Sequence, residues 1–277
     1  MLSAGSSFRA ALQAEKPLQI AGVINAYAAL LAERAGFRAL YLSGAGIANH
    51  SFGYPDTGET DLSDILPDVH RIVRRVDLPV LVDIDTGWGN PGAAVHQIAG
   101  AGAAGVQLED QIPAKLCGHL PGKQVVPIAE MVARIKSALS TRHDPDFVIM
   151  ARTDAAAVEG VPAAVDRAQA YVAAGADMIF AEALTTLDEF RQFTSALTVP
   201  VLANLTEFGR TPSFTLDELR SAGVAMALYP LSASRAAAAA SLEVFNAIRR
   251  EGTQKSVIGK MQTRAELYDI LGYKPKG

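Results

Sequence analysis

The sequence PVLVDIDTGWGNPGAAVHQIAGAGAAGVQLED, residues 79–110, contains two short apolar runs separated by a segment with a helical pattern. The runs PVLVDID (79–85) and GVQLED (105–110) have the apolar composition of buried strands, and GAAVHQIAGAG (92–102) lies between them. A strand, a helix and a second strand in this order predict parallel neighbouring strands, because the helix carries the chain back to the edge at which the first strand began. The stretch therefore predicts an α/β fold.

The same alternation continues along the whole chain. Eight apolar runs are strand candidates: LQIAGVINAY (18–27), ALYLSG (39–44), PVLVDID (79–85), GVQLED (105–110), FVIMARTD (147–154), MIFAEA (178–183), PVLANLT (200–206) and VAMALYP (224–230). Helical patterns lie at 61–76, 92–102, 128–139, 163–176, 187–197, 215–223 and 232–250. Strands that are apolar throughout are buried on both faces, as in a barrel surrounded by helices. We predict one (β/α)8 TIM-type barrel over residues 1–277, with a helical C-terminal segment from about residue 232.

The composition limits the class of partner. Of the 277 residues 49% are apolar, and 25 Lys and Arg stand against 29 Asp and Glu, for a formal charge of −4. No basic block is present, so a small molecule is a better partner than nucleic acid or an anionic membrane. No apolar run is long enough for a membrane helix or a signal-peptide core, which predicts a cytoplasmic protein. The single cysteine excludes an internal disulfide and a zinc site built from several cysteines.

Polar residues follow the apolar runs at the points where the strands would end. They are Asn25, Tyr41, Ser43, Asp83, Asp85, Glu109, Asp110, Arg152, Asp154, Glu182, Asn204 and Thr206. In a (β/α)8 barrel the carboxyl ends of the strands meet at one mouth, where such folds carry their active sites. Residues two apart on a strand, such as Asp83 and Asp85, point to the same side. One such pair could simply cap a strand or form a turn, but the recurrence at seven strand ends favours a site.

Four acids are expected at this mouth: Asp83, Asp85, Glu109 and Glu182. Paired carboxylates also serve glycoside hydrolysis, but four acids repel one another unless a cation lies among them. Oxygen ligands without His or Cys at metal-binding spacing predict Mg²⁺, with Mn²⁺ as a substitute, that keeps several waters and leaves positions for substrate oxygens. The substrate is then expected to be an anion, and Arg152 and Arg235 are candidates to bind its carboxylates in a bidentate manner.

Two other enzyme classes are disfavoured. Gly44 and Gly46 follow a strand as in a dinucleotide-binding fingerprint, but Asn49 occupies the place of the third glycine. A Schiff-base aldolase needs a desolvated lysine at a strand end, and none of the eight strand candidates contains a lysine. Carbonyl chemistry is therefore expected to depend on the metal.

The single cysteine lies in a segment without a helical or strand pattern, QIPAKLCGHLPGKQVV (111–126). A loop of this length in a compact barrel is typical of an active-site lid that is mobile without ligand and ordered when closed. Lys115, His119 and Lys123 flank Cys117 and predict a lowered pKa for its thiol. The segment therefore predicts a reactive thiol that serves as nucleophile or general acid; a buried, inert cysteine is the alternative.

The chain resembles the 2-methylisocitrate lyases of the isocitrate lyase/phosphoenolpyruvate mutase superfamily in eight motifs that cover nearly its whole length: SGAG (43–46), PDTG (55–58), DIDTGWG (83–89), LEDQ (108–111), KLCGH (115–119), ARTDA (151–155), NLTEFGRTP (204–212) and GTQKSVIGKMQTRAEL (252–267). The K-x-C-G-H lid is specific to the carbon-bond-cleaving lyases of that superfamily. The resemblance implies a magnesium-dependent cleavage of 2-methylisocitrate to pyruvate and succinate, in the methylcitrate cycle of propionate catabolism, by a homotetramer.

The resemblance also implies a role for individual residues. Asp83 and Asp85 would hold magnesium, and Asp56 and Glu109 would support it through waters. Tyr41 would lie near the substrate hydroxyl that loses a proton, and Cys117 would protonate the succinate carbanion. The implied catalytic residues are Cys117, Tyr41, Arg152, Glu182 and His119. The implied substrate-binding residues are Ser43, Gly44, Ala45, Cys117, Gly118, Arg152, Glu182, Asn204, Thr206, Arg235 and Arg264, with Phe180, Leu228 and Pro230 around the extra methyl group.

Departures from the family and related activities leave alternatives open. Ala45 and Ile84 replace smaller residues usual in the family, and the chain ends roughly one helix earlier than is usual, which implies an altered C-terminal element. The 2,3-dimethylmalate lyases and oxaloacetate hydrolases have similar lids and are alternative functions. A non-catalytic carboxylate-binding barrel is a further alternative, although such a protein would be expected to lack Cys117 or one of the aspartates.

Overall fold

The computed structural model describes residues 2–114, 116–120 and 122–274, and within them eight parallel strands close into a barrel in chain order. The strands are β1 (Leu18–Val23), β2 (Ala39–Leu42), β3 (Val80–Asp83), β4 (Gly105–Glu109), β5 (Val148–Thr153), β6 (Met178–Ala181), β7 (Val201–Asn204) and β8 (Met226–Tyr229). Each of the eight predicted runs contains one of these strands. The predicted (β/α)8 barrel is therefore confirmed.

Helices surround the barrel. They are α1 (Ala4–Ala14), α2 (Ala26–Arg34), α3 (Gly44–Ile47), α4 (Leu62–Val73), α5 (Pro91–Gly100), α6 (Ile128–Ser140), α7 (Val161–Ala173), α8 (Leu187–Ala196), α9 (Leu216–Ser221), α10 (Ser232–Glu251) and α11 (Arg264–Leu271). A π-helical turn at Ala48–Phe52 continues α3, and 3₁₀ turns lie at Ala155–Ala157 and Lys255–Lys260. The seven predicted helical patterns correspond to α4 through α10, and α11 lies in the C-terminal segment that was predicted to be helical, whereas α1, α2 and α3 were not predicted.

Local sequence signals set where several of these helices begin. Asp61 and Asp64 form a reciprocal capping box at the start of α4: the side chain of each aspartate accepts a hydrogen bond from the backbone N–H of the other. The same arrangement begins α8, α9 and α11. Because the first backbone N–H groups of a helix have no partner inside it, these boxes define the helix starts independently of tertiary packing.

Two apolar layers stabilise the barrel. Side chains inside it form one cluster, which includes Tyr41, Met150 and Phe180 and extends to Phe8 of α1, so that α1 covers the N-terminal end of the barrel. Outward-facing strand residues and the inner faces of the helices form the second and larger cluster. The N-terminal end is thus filled with apolar side chains, and the polar strand ends are left at the opposite end. Within the described ranges, no helix has the length and apolar character needed to cross a bilayer.

The long helix α10 differs from the other barrel helices, because much of its surface faces solvent. Leu242, Phe245 and Ile248 are 60%, 68% and 42% exposed. Helix α11 follows and packs against α2 on the outside of the barrel, where an Arg34–Asp269 ion pair joins the two helices.

Candidate active site

A cavity of about 270 Å³ opens at the carboxyl ends of the strands. It is lined by the predicted site residues Tyr41, Ser43, Ala45, Asp56, Asp83, Cys117, Gly118, His119, Arg152, Phe180, Glu182, Asn204, Thr206, Leu228, Pro230 and Arg235, together with Leu120, Glu207, Phe208, Gly209 and Leu231. Larger cavities, of about 780, 650, 420 and 350 Å³, lie on the outside of the barrel, and none of the charged side chains in their described linings is buried. The charged groups therefore favour the smaller cavity as the active site.

Strand β3 and the loop after it place two carboxylates together. Asp83 accepts the Gly44 N–H through Oδ2 and the Asp85 N–H through Oδ1, each at 3.2 Å. Asp85 has φ 49°, in the left-handed region that aspartate tolerates better than most residues. A Cβ atom added to Gly44 would lie 3.2 Å from Asp83 Oδ2 and 3.6 Å from Asp85 Oδ1. Both carboxylates therefore converge on the same point of the backbone, and Gly44 provides the space they need.

This pair is a suitable donor set for magnesium. Mg²⁺ in proteins is commonly held by one or two carboxylates and keeps several of its waters, and Asp83 and Asp85 are both buried. Within the described ranges, no three His, Cys, Asp or Glu side chains are close enough to enclose an ion. The arrangement thus resembles an open magnesium site more than a closed cage of protein ligands. Glu109, expected to support the metal through water, also lies close to Arg152, with 3.4 Å between its Oε2 and Arg152 Nε.

Tyr41 extends from β2 into the same region. Its hydroxyl donates to Gln107 Oε1 at 2.7 Å inside the barrel. Burial, and then the neighbouring charge of Asp83, raise the pKa of Tyr41 well above its ordinary value. Tyr41 is therefore a neutral phenol at physiological pH.

Arg152 is the centre of the buried charge network. Its guanidinium is 2.8 Å from Asp154 Oδ2 through Nε and 3.0 Å from Glu182 Oε2 through Nη2. It also lies over the ring of Phe180, 5.2 Å from the centroid. Burial raises the pKa of Glu182, but Arg152 and then the hydrogen bond from His119 outweigh this and hold it well below its usual range. Glu182 is therefore ionised, and Arg152 already has carboxylate partners before any substrate binds.

The described part of segment 111–126 covers the cavity, whose lining includes residues 117–120. Gln111 pairs with Val125 as an isolated bridge, and its side-chain amide holds the main chain of Leu116 with hydrogen bonds of 2.9 and 3.1 Å. Lys123, which is buried, binds Asp154 Oδ1 at 2.8 Å and the Gly118 carbonyl oxygen. The lid is therefore anchored to the residue that also binds Arg152. Lys115, which was expected to act on the thiol, lies outside the described residues.

Gly118 and His119 form the part of the lid that touches the network. A Cβ atom at Gly118 would lie 2.3 Å from Arg152 Nη2 and 2.6 Å from Glu182 Oε2, so a larger residue would collide with this ion pair. His119 Nδ1 accepts the Arg210 N–H at 2.9 Å, and its Nε2 lies 3.0 Å from Glu182 Oε1. Since Nδ1 is an acceptor, the ring carries its proton on Nε2 and donates it to Glu182.

The predicted lowering of the Cys117 pKa is wrong. Burial is the largest cause of a raised thiol pKa, and the charges of Asp56 and Glu182 add to it against the opposing effects of the His119 N–H and Arg152. Lys123 is turned to Asp154 and does not act as a free cation beside the thiol. The thiol is therefore protonated at neutral pH, which favours a proton donor over a thiolate nucleophile.

Of the predicted residues not yet described, Phe180, Leu228, Pro230 and Arg235 lie at the cavity, and Arg264 does not. Phe180, Leu228 and Pro230 line it, whereas Arg235 lies at its mouth, 3.2 Å from Glu207 Oε2 and over the ring of Phe208. Arg264 begins α11 on the outside of the barrel and is absent from the described lining. A single copy of the chain therefore does not bring Arg264 to the site, because α11 packs on α2 rather than over the mouth.

Sequence reasoning missed three contributions to the site. The Lys123–Asp154 pair was not foreseen, although Asp154 stood among the polar strand ends. Gln107 was not foreseen because it lies inside a run that reads as an apolar strand. Gly209 was not foreseen either: a Cβ atom there would lie 2.7 Å from His119 Nδ1, so this glycine makes room for the closed lid.

Comparison with known proteins identifies the family of the chain. Residues 8–249 match the model of the family described as phosphoenolpyruvate phosphomutase. The chain is 58% identical to the 2-methylisocitrate lyase of Escherichia coli (strain K12) over 275 residues, 98% of this chain and 93% of the relative. The superposition on a crystal structure of 2,3-dimethylmalate lyase, described as a phosphoenolpyruvate mutase/isocitrate lyase superfamily member, has a TM-score of 0.90 at 34% identity and covers 98% and 92% of the two chains.

A second solved structure bears on the metal. Phosphonopyruvate hydrolase in complex with oxalate and Mg²⁺ has a TM-score of 0.85 at 32% identity, covering 98% of this chain and 95% of the other. That neighbour was solved with magnesium and the dicarboxylate oxalate together. The chain belongs to the phosphoenolpyruvate phosphomutase family and, within it, to the group of the 2-methylisocitrate lyases.

Proposed function

We propose that the protein is a magnesium-dependent carbon–carbon lyase that cleaves 2-methylisocitrate to pyruvate and succinate. The observation that carries the proposal is the closed lid, which puts the protonated thiol of Cys117 into one cavity with Arg152 and Asp83. A carboxylate-binding barrel without catalysis would have no need for a positioned acid. The identity to 2-methylisocitrate lyases over nearly the whole chain supports the same substrate.

Each group has a task in this reaction. When bound at Asp83 and Asp85, with Asp56 and Glu109 supporting it through waters, magnesium (or Mn²⁺ in its place) supplies Lewis-acid stabilisation of the negative charge that develops on a substrate oxygen. Ser43, Gly44 and Ala45 hold the pyruvate part at the end of β2. Tyr41 contacts the substrate hydroxyl, which loses its proton and becomes the carbonyl oxygen of pyruvate as the bond between the two product fragments breaks. Over one turnover this proton replaces the one that the Cys117 thiol gives up, so the cavity gains and loses no proton.

The electron pair of that bond passes to the succinate fragment, and the Cys117 thiol protonates it. Glu182 and His119 keep Arg152 and the lid in place while this happens, since both are bonded to the same network. The remaining substrate oxygens are bound by polar residues around the mouth, namely Arg152, Asn204, Thr206 and Arg235. Closure of the lid excludes water, so the carbanion meets the thiol first.

Substrate choice is the test of the proposal. Phe180, Leu228 and Pro230 are apolar and line one cavity, where they leave space for the extra methyl of 2-methylisocitrate. A methyl in a fitted apolar pocket is worth ~1–3 kcal/mol, or roughly 10–200-fold in specificity. We expect kcat/KM for 2-methylisocitrate to exceed that for isocitrate by a factor in this range. Because Phe180→Trp fills the space for the methyl group, this variant should lower kcat/KM more for 2-methylisocitrate than for isocitrate.

The assay measures pyruvate from 2-methylisocitrate and glyoxylate from isocitrate at one magnesium concentration. Phe190→Trp is the matched control, because Phe190 is equally buried but lies on α8 away from the cavity. An equal or higher kcat/KM for isocitrate would contradict the proposed methyl-binding pocket, but the assignment of the protein as a carbon–carbon lyase would stand. Cleavage of 2,3-dimethylmalate or oxaloacetate alone would instead make the protein a dimethylmalate lyase or an oxaloacetate hydrolase.

We further propose that the protein works as a homotetramer. The family resemblance implies this state, and the exposed apolar residues of α10 support an interface there, since Leu242, Phe245 and Ile248 would otherwise face water. Phe245→Glu is expected to give a smaller species in sedimentation equilibrium, whereas Glu243→Ala on the same helix should not. A monomer mass for the unaltered protein would refute the proposal.

A place in metabolism follows from the substrate. The family resemblance places cleavage of 2-methylisocitrate in the methylcitrate cycle, so we propose a role in propionate catabolism in the cytoplasm. This part of the proposal rests on the family and on the composition of the chain.

A further inference from the structure

Gln107 is a polar residue in an apolar part of the barrel interior. It lies on β4, opposite Asp83 of β3 and Met150 of β5 in the strand register, one inward-facing position below Glu109 and Arg152. Its side chain is fully buried. Met150 and Met178, which share its level on the next two strands, are apolar. Burying an amide at this depth is unfavourable unless it makes a useful hydrogen bond, because a methionine there would fill a similar volume without burying polar atoms.

The amide is satisfied on one side only. Its Oε1 accepts the Tyr41 hydroxyl at 2.7 Å. For its Nε2, the described residues offer no hydrogen-bond acceptor. A buried donor without a partner is unfavourable, and replacing such a group by an apolar one of the same shape costs little or nothing. The contact with Tyr41 is therefore the one interaction that the amide contributes here.

That contact determines where the Tyr41 proton points. The phenol has two neighbouring acceptors, Gln107 and Asp83. A hydroxyl has one proton, so a phenol that donates to Gln107 keeps its oxygen lone pairs for other partners. Tyr41 also lines the substrate cavity. When the proton points to Gln107, the Tyr41 oxygen can accept a hydrogen bond from a substrate hydroxyl, whereas a proton that points to Asp83 engages one of the carboxylate oxygens expected to hold the metal.

We propose that Gln107 is a positioning residue for Tyr41: its Oε1 accepts the hydrogen bond that the phenol donates and so presents the Tyr41 oxygen to the substrate as a hydrogen-bond acceptor. The inference rests on the proposed lyase function. Without Gln107 the phenol has Asp83 as its remaining acceptor and rotates its proton there. The substrate hydroxyl then loses its orienting contact, although the groups that bind the substrate carboxylates are unchanged.

The kinetic test uses Gln107→Met, which keeps the volume and removes both polar atoms. We expect kcat to fall roughly 10- to 100-fold, as for a misplaced reacting group, with KM changed less than about threefold, within the scatter expected for binding groups left in place. In a Tyr41→Phe background the same change should have almost no further effect on kcat. Met150→Leu, a volume-conserving change at the neighbouring position, is the packing control and should leave kcat near normal.

A second measurement does not need turnover. Ultraviolet resonance Raman spectra report whether a tyrosine hydroxyl donates or accepts, and the difference between the unaltered protein and Tyr41→Phe isolates Tyr41. We expect a donor signature that changes in Gln107→Met. An unchanged signature, or a kcat loss of the same size in the Tyr41→Phe background, would overturn the positioning role. If the unaltered protein lacks lyase activity, the proposed function fails while the spectra still decide whether Gln107 directs Tyr41.

Discussion

Chelation of divalent cations is expected to abolish turnover, and replacement of Asp85 is expected to have nearly the same effect. Cleavage leaves negative charge on a substrate oxygen, and a bound Mg²⁺ stabilises such charge by several kcal/mol. Among the residues that the structure describes, the buried lysine at the site, Lys123, is bound to Asp154 and Gly118 and is not free to replace the metal. Several kcal/mol correspond to a loss of about 10⁴-fold in kcat, since each ~1.4 kcal/mol is a factor of ten.

Asp85→Asn is the sharper variant. Asparagine tolerates the left-handed backbone of Asp85, whereas alanine would add backbone strain to the loss of the ligand. Asp188→Ala removes an exposed carboxylate and is the matched control. Turnover should return when magnesium is added back after chelation, and calorimetric Mn²⁺ binding should weaken in Asp85→Asn but not in the control. Full activity in excess chelator would refute the metal assignment.

The second large effect is expected at Cys117. Cys117→Ser should fold normally and lose kcat by about 10²–10⁴-fold, the range for removal of a positioned acid. Serine keeps the size of the side chain, but its hydroxyl is a far weaker acid than the thiol. The raised pKa of Cys117 has a further consequence: the thiol is protonated below its ordinary pKa, so its ionisation should depress kcat only above that value.

The variant and its control are compared in one assay. Gln124→Ala changes an exposed lid side chain and should retain activity, which separates the thiol from the lid as a whole. Mn²⁺ affinity and the melting temperature should be unchanged in Cys117→Ser. Near-normal kcat in this variant would return Cys117 to a structural role and would also remove the main support for a carbanion protonated from the lid.

The lid and the charge network form one unit in this structure. Asp154 binds Arg152 on one side and Lys123 on the other, while Glu182 binds Arg152 and His119. Closing the lid therefore completes the ion pairs on which the position of Arg152 depends. The contacts that hold the described part of segment 111–126 are therefore those that hold Arg152, and we expect the position of Cys117 to depend on this network.

Patterns local in sequence were sufficient for the architecture and for much of the site. Each apolar run around β1 to β8 contained a strand, because buried parallel strands need uninterrupted apolar residues. Asp83, Arg152 and Glu182 could be placed at one mouth, because strand direction alone puts all carboxyl ends together. The short helix α3 and the helix α1 were missed, since one is a single turn and the other depends on packing against the barrel end.

The pKa of Cys117 shows why other properties could not be foreseen. Three cationic neighbours in sequence predicted a lowered value, whereas burial and the nearby Asp56 and Glu182 raise it. Sequence proximity does not say which way a side chain turns: Lys123 is six residues from the thiol and binds Asp154, thirty-one residues away.

The amino-acid sequence by itself determined the barrel, the polar mouth, the paired aspartates and the lid with its thiol, because these follow from periodicity, strand direction and motif. Only the tertiary structure decided the protonation of Cys117, the tautomer of His119, the anchoring of the lid through Lys123 and the partner of Tyr41. These properties depend on burial and on distances of about 3 Å between residues far apart in the chain. Electrostatic and hydrogen-bond energies vary steeply over such distances, and the distances themselves are set only when the chain folds.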